Sequence, residues 1–191
     1  LVCDEPVADH QKALARVLAA LTAGESPTVT KENSIVAVGH RVVHGGVRFN
    51  QSAIIDHHVL AAIERCSDLA PLHNPANLAG IYAAQKHLSG AVNVAVFDTA
   101  FHTSIPAPAH VYGLPYEIYE QKGFRRFGFH GTSHKYVAER TAVLLEKTLE
   151  ALCLVTCHLG NGSSVSAVRN GKSIATSLGF GTVSGVMMGT R

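Results

Sequence analysis

Four side chains able to do chemistry stand at loop positions of this chain: Arg41, Asp98, His130 and Arg191. Arg41 belongs to Gly39-His40-Arg41-Val42-Val43-His44-Gly45-Gly46, directly after the apolar run Ile35-Val36-Ala37-Val38. Strand ends of α/β sheets host ligands, and a guanidinium there can clamp an anion through two parallel hydrogen bonds, although most arginines are plain surface groups. Asp98 ends the run Val92-Asn93-Val94-Ala95-Val96-Phe97. A carboxylate at the mouth of a buried strand reads as a catalytic base, a metal partner, or a cap of the following turn. His130 stands between Phe129 and Gly131 ahead of a helical segment, where free N–H groups and the helix dipole favour phosphate.

The fifth feature is Cys157-His158-Leu159-Gly160-Asn161-Gly162-Ser163-Ser164. Glycine takes positive φ freely and lets a backbone approach a ligand, and successive N–H groups in such a turn can form an anion nest. An ordinary hairpin bend is the competing reading. Together, cations, a carboxylate and a glycine loop make the set that phosphoryl transfer needs, because its catalysis is positioning plus stabilisation of charge on the transferring group. Other chemistries find less support. His40/His44 and His130/His134 are spaced i,i+4, but Gly45-Gly46 and Gly131 argue against helix at both pairs and no H-E-x-x-H is present, so no metal ligand is assigned. His73 lies just before a helix, a place more often structural than catalytic. No nucleophile elbow and no Walker loop occurs.

These residues must be held by regular elements. Residues 9 to 23 read as a helix, with Leu14, Val17, Leu18 and Leu21 on one face and Gly24 as its C-cap. Residues 35 to 38 read as a buried strand ending at Gly39. Ala53-Ile54-Ile55 is a short strand, and Asp56 caps a helix running to about Asp68. Asn74 and Pro75 read as N-cap and first turn of a helix through about Leu88. Val92 to Phe97 is a strand. Pro106, Pro108 and Pro115 punctuate an irregular segment, Thr103 to Lys122, which reads as a hinge. Thr132 or Ser133 caps a helix to about Leu149. Two strands, Leu152 to Thr156 and Val165 to Val168, flank the glycine loop, and Asn170-Gly171 marks a tight hairpin.

Composition sets the frame. At 191 residues, 47% hydrophobic and 16% charged, the chain can bury a core and is not of disordered type. A net charge of +2 with no basic run offers nucleic acid no footprint. No apolar stretch has membrane-spanning length, and no signal peptide stands at the start, so no membrane partner is expected. Cys3, Cys66, Cys153 and Cys157 are scattered, which suits reduced thiols in a cytoplasm. The absence of an initiator Met and the ending Met187-Met188-Gly189-Thr190-Arg191 suggest a chain cut at both ends.

Six stretches resemble the acetate kinase family. They are Gly39 to Gly46, Pro71-Leu72-His73-Asn74-Pro75-Ala76-Asn77-Leu78, Val96 to His102, Gly128 to His134, His158 to Ser164, and Met187 to Arg191. They occur in family order from about residue 35 to the end. The resemblance implies an α/β fold of the actin, sugar-kinase and Hsp70 type (ribonuclease H-like), with two domains around a nucleotide cleft and incomplete here. Residues 1–102 would be the second part of the N-terminal, acyl-substrate domain, 103–122 the hinge, and 123–191 the first part of the nucleotide-binding domain.

The resemblance also implies transfer of the ATP γ-phosphoryl group to acetate, with ATP and Mg²⁺ as cofactors. Arg41 would bind the carboxylate, with Val43, Leu72 and Phe129 around its alkyl end. Asp98 would be the catalytic carboxylate, and His130 and Arg191 would stabilise the transition state. His158, Leu159, Gly160, Asn161 and Gly162 would hold ATP phosphates. Acetate is already ionised at neutral pH (carboxyl pKa roughly 4), so Asp98 has no proton to remove. Orienting the acceptor, an arginine or the metal site suits it better. Thr182 stands where relatives carry proline beside the alkyl pocket, and Val47 where an acidic residue is usual. The resemblance also implies a homodimer for the full-length protein. Propionate kinase and a non-catalytic anion-binding module are the alternatives. These 191 residues, without the relatives' first phosphate loop and adenosine-binding part, are expected to be inactive alone.

Overall fold

The computed structural model describes residues 6–23, 27, 29–30 and 35–190. Helix α1 (His10–Thr22) starts at Asp9, whose side chain accepts from the Lys12 N–H at 2.8 Å. Its expected glycine cap, Gly24, lies outside the described residues.

The first sheet contains β1 (Ala37–Val42), β2 (Ala53–Ile54) and β3 (Val92–Phe97) in the order β1-β3-β2. β1 and β3 are parallel, with Ala37 opposite Val92 and Val42 opposite Phe97. β1 is therefore displaced from the expected 35–38. Gly39 does not end it, because the ladder to β3 continues through His40 and Arg41. Arg41 is a strand residue rather than part of the loop beyond.

Asp56 caps α2 (His57–Arg65), accepting from the Val59 N–H at 2.8 Å, and a 3₁₀ turn carries the chain to Asp68. Helix α3 spans Asn74–His87. Asn74 is not its cap. His73 occupies that position without a side-chain bond, because the Asn74 amide is committed to the loop after β1. Val42, Ala95 and Phe97 from the sheet pack with Val59, Ile63, Leu78 and Ile81 from α2 and α3 into one core.

The segment read as irregular carries α4 (Ala107–His110) and α5 (Tyr116–Lys122), so its prolines start short helices rather than preventing them. Helix α6 runs Gly131–Leu144. It starts at Gly131, ahead of the expected hydroxyl caps, so Gly131 begins the helix rather than breaking it. A 3₁₀ turn, Leu149–Ala151, leads to the antiparallel sheet β4 (Cys153–Leu159), β5 (Ser163–Arg169) and β6 (Lys172–Thr176). Both flanking strands outrun their expected ends, so His158 and Leu159 are the last residues of β4. The β5–β6 turn is the expected Asn170-Gly171, with φ of 52° and 75°.

Candidate active site

The parallel register of β1 and β3 sets the first half of the site. Arg41 is opposite Val96 and Val42 opposite Phe97, and the Asp98 N–H continues the ladder to the Val42 carbonyl at 2.9 Å. Side chains alternate along strands, so Arg41, Val43 and Asp98 share one face while Val42 and Phe97 turn into the core. Arg41 and Asp98 meet there as a two-bond ion pair. Nε donates to Oδ1 at 3.1 Å and Nη2 to Oδ2 at 2.6 Å. Asp98 is 1% exposed, whereas the Arg41 side chain is 63% exposed. The hydrogen bond to Asp98 raises the guanidinium pKa further, so Arg41 is a permanent cation with its remaining N–H groups open to the cleft.

Beyond β1 the backbone loses its strand partners, and asparagine side chains replace them. The Val43 N–H donates to Asn77 Oδ1 and the His44 N–H to Asn74 Oδ1, each at 3.1 Å. Asn74 Nδ2 donates to the carbonyls of His44 and Ile63, both at 3.0 Å, and the Gly45 N–H donates to Thr99 Oγ1 at 3.1 Å. Buried backbone groups require such partners. The result fixes Val43 beside Phe127, Phe129, Leu178 and Met188 in a second apolar cluster. Phe127 and Phe129 are both buried, and Phe129 also faces the cleft.

His130 sits in the left-handed region, φ 59° and ψ 21°, directly before α6. A non-glycine residue there is uncommon and is held by its surroundings. Here the Gly131 N–H donates to the Asp98 carbonyl at 2.9 Å. A Cβ on Gly131 would run into that carbonyl oxygen, so only glycine lets α6 begin against the end of β3. His102 supports the same corner. Its Nε2–H donates to the Phe129 carbonyl at 2.9 Å and Nδ1 accepts from Ser173 at 2.8 Å.

The third part is the β4–β5 connection. Gly160, Asn161 and Gly162 close it, and none has a positive φ. The left-handed backbone expected of these glycines is not used. Gly162 serves through closeness, since a Cβ there would lie 3.0 Å from His130 Nε2. The His130 and His158 rings stack at 4.1 Å, and His158 Nδ1 is bonded to Ser133 Oγ at 2.9 Å.

These three parts line one cleft of about 890 Å³. It gathers Arg41, Val43, Leu72, Asp98, Phe129, His130, His158, Asn161 and Gly162. Leu72 is 86% exposed and forms the rim. Leu159 and Gly160 do not line the cleft, because Leu159 ends β4 with its side chain outward. Arg191 lies outside the described residues. His73, Tyr136, Thr182 and Met188 also border the cleft. Tyr136 belongs to none of the six motif stretches, yet it stands four residues after Thr132 on the same face of α6.

Three of the histidines around the cleft, His130, His102 and His134, are neutral at ordinary pH. Burial, with the neighbouring His158 and Arg41, takes His130 down to about 4 against the opposing pull of Asp98. Burial takes His102 to about 4, and burial beside three other histidines takes His134 to about 3. Asp98 is the one carboxylate on the cleft wall among the described residues. Among the described residues no group of three or more His, Cys, Asp or Glu side chains is placed to hold a metal ion. The arrangement can therefore hold a small carboxylate on Arg41, its apolar end against Val43 and Phe129, and an anionic group opposite His130 and Gly162.

Comparison with known proteins gives the same direction. The model of the acetokinase family matches residues 2–191. The acetate kinase of Thermotoga maritima is 54% identical over 100% of this chain and 47% of its own length, and that of Acetivibrio thermocellus 52% over 100% and 48%. The crystal structure of Porphyromonas gingivalis acetate kinase matches with a TM-score of 0.93 at 43% identity, over 100% of this chain and 48% of that one. A propionate kinase from Francisella tularensis matches with a TM-score of 0.87 at 42% identity, over 95% and 45%. The fold is that of these kinases, the actin and sugar-kinase type, held here in part. The chain spans about half the length of the curated relatives it matches. With the model matching all but the first residue and half the positions shared with its relatives, the chain belongs to the acetokinase family.

Proposed function

We propose that this chain supplies the acceptor side and one phosphate-facing loop of an acetate kinase, which moves the γ-phosphoryl group of ATP to acetate. The observation that carries the reading is the convergence of Arg41, Asp98 and His130 on one cleft with an apolar end. In the proposed reaction a carboxylate oxygen of acetate attacks the γ-phosphorus, the bond from that phosphorus to the β,γ-bridging oxygen breaks, and acetyl phosphate and ADP result. No proton moves. Arg41 holds the acceptor, and Asp98 keeps Arg41 in place. The loose transition state spreads charge over the equatorial oxygens, and a neutral His130 offers it a donor. Arg191 joins as a second cation in this reading.

A phosphate fits the loop, since the missing side chain of Gly162 leaves His130 Nε2 open. The described residues fit Mg²⁺ poorly, because the single carboxylate on the cleft wall is tied to Arg41. Mg²⁺ would therefore enter with ATP rather than be held by these residues. A cytoplasmic homodimer follows from family resemblance, and among the described residues no helix is long and apolar enough to cross a membrane.

The test is a chimera in which these residues replace the matching half of the Thermotoga maritima protein. Acetate and ATP should give acyl phosphate, trapped as hydroxamate, and propionate should give less. A preference for propionate would move the reading to a propionate kinase. A folded chimera that forms neither product would point to an anion-binding module. The 191 residues alone should form none.

A further inference from the structure

We propose that Ser164 and His134 are positioning residues that set the tautomer of His130, so that its Nε2 carries the hydrogen and presents it to the cleft. The observation is an unbroken chain of side-chain hydrogen bonds behind His130. His130 Nδ1 lies 2.9 Å from Ser164 Oγ, Ser164 Oγ lies 2.8 Å from His134 Nε2, and His134 Nδ1 lies 2.7 Å from Thr156 Oγ1. Ser164, His134 and Thr156 are all buried, so water does not substitute for any member.

A neutral imidazole has one N–H and one lone pair, and a hydroxyl has one hydrogen to give. Ser164 touches two imidazole nitrogens, so it must donate to one and accept from the other. Only two complete arrangements exist. In the first, Thr156 donates to His134 Nδ1, His134 Nε2–H donates to Ser164, and Ser164 donates to His130 Nδ1. His130 then carries its hydrogen on Nε2. In the second, every bond is reversed and Nε2 is a bare lone pair.

Thr156 decides between them. In the first arrangement its hydroxyl donates across 2.7 Å to a nitrogen. In the second it must turn its hydrogen to the Ser166 carbonyl at 3.4 Å, beyond the normal range for an O–H donor. The first arrangement is favoured. Low pKa values at His130 and His134, about 4 and about 3, keep both rings neutral and the two-arrangement count valid. Gly162 leaves the exposed Nε2 uncovered, and among the described residues nothing bonds it. The site thereby offers a hydrogen-bond donor without a charge, through an outer shell that fixes ring orientation and tautomer.

The catalytic consequence rests on the acetate kinase reading, whereas the tautomer does not. ¹⁵N NMR of histidine-labelled chain reads it directly, with His130→Gln identifying the resonances. The unaltered chain should show Nε2 protonated and Nδ1 unprotonated, in a ratio of about ten or more, as one ordinary hydrogen bond supports. Ser164→Ala should lower that ratio severalfold, and Ser164→Thr should restore it. In the chimera, Ser164→Ala should reduce kcat about tenfold with little change in the KM for acetate. A protonated Nδ1 in the unaltered chain, or a ratio indifferent to Ser164, would overturn the proposal whatever the activity. The expected tautomer in a chimera that makes no acyl phosphate would instead overturn the kinase reading.

Discussion

Arg41 and Asp98 are joined by two hydrogen bonds across the ends of two parallel strands, yet one is almost wholly buried and the other largely exposed. The asymmetry gives the pair a direction. The carboxylate satisfies both oxygens on Arg41, and the guanidinium keeps spare N–H groups on the open side, where a second carboxylate can dock.

Asp98→Asn should therefore act through Arg41. The fold should persist, because an amide still accepts one of the two bonds. The KM for acetate in the chimera should rise about tenfold, the scale of one lost charge-assisted bond. Arg41→Ala leaves a buried carboxylate unpaired and should cost stability as well, about 2 kcal/mol by chemical denaturation, below the usual range for fully buried pairs because Arg41 is exposed.

Gly131→Ala tests how α6 meets β3. Alanine favours helix over glycine by about 1 kcal/mol in a helix interior. Here its Cβ would strike the Asp98 carbonyl and lie 3.1 Å from Phe101 Cβ, an overpacking cost of about 3 kcal/mol. The clash should win, and the unfolding midpoint should fall.

Asn74→Ala removes the amide that completes the loop after β1. It strands the His44 N–H and two carbonyls in the interior, which should cost about 3 kcal/mol. Asn74→Asp should also destabilise, since a carboxylate cannot donate to the carbonyls of His44 and Ile63.

Stability should fall with acid in a defined window. His44, His102 and His134 are buried and held near 4, 4 and 3, against 6.5 when unfolded. Their folded-state pKa values are depressed, so below 6.5 the unfolded chain binds more protons. Stability then rises with pH across the window, is complete above about 6.5, and is lost as pH falls towards 4. Each buried histidine contributes up to about 1.4 kcal/mol per pH unit there. Urea midpoints between pH 7 and pH 4.5 should drop steeply, and a flat profile would show these histidines to be accessible.

Arg191→Ala and His130→Gln should each lower turnover in the chimera far more than they weaken acetate binding. Equal losses in both would place them in ground-state binding instead.

Much of this site was legible from residue types at segment ends. Asp98 at the end of an apolar run, His130 ahead of a helix and Asn170-Gly171 in a hairpin all announce themselves locally. Arg41 was legible as a residue but not as a strand member, because Gly39 looks like a strand end until the pairing with β3 is known. Asn74 misleads for a similar reason. Its N-cap propensity is real, but three buried backbone groups compete for the same amide, and tertiary hydrogen bonding wins. The His130–Ser164–His134–Thr156 chain was not legible at all. Its members are up to 34 residues apart, and only the packing of α6 on β4 and β5 brings them together.

The most direct measurement is the initial rate of acyl phosphate formation by the chimera as acetate is raised, with and without Arg41→Ala. The account predicts a rate that saturates with acetate, one acyl phosphate for each ADP, and a loss of at least about tenfold in kcat/KM without the guanidinium. A folded chimera that binds ATP yet forms no acyl phosphate, or forms it equally well without Arg41, would contradict it.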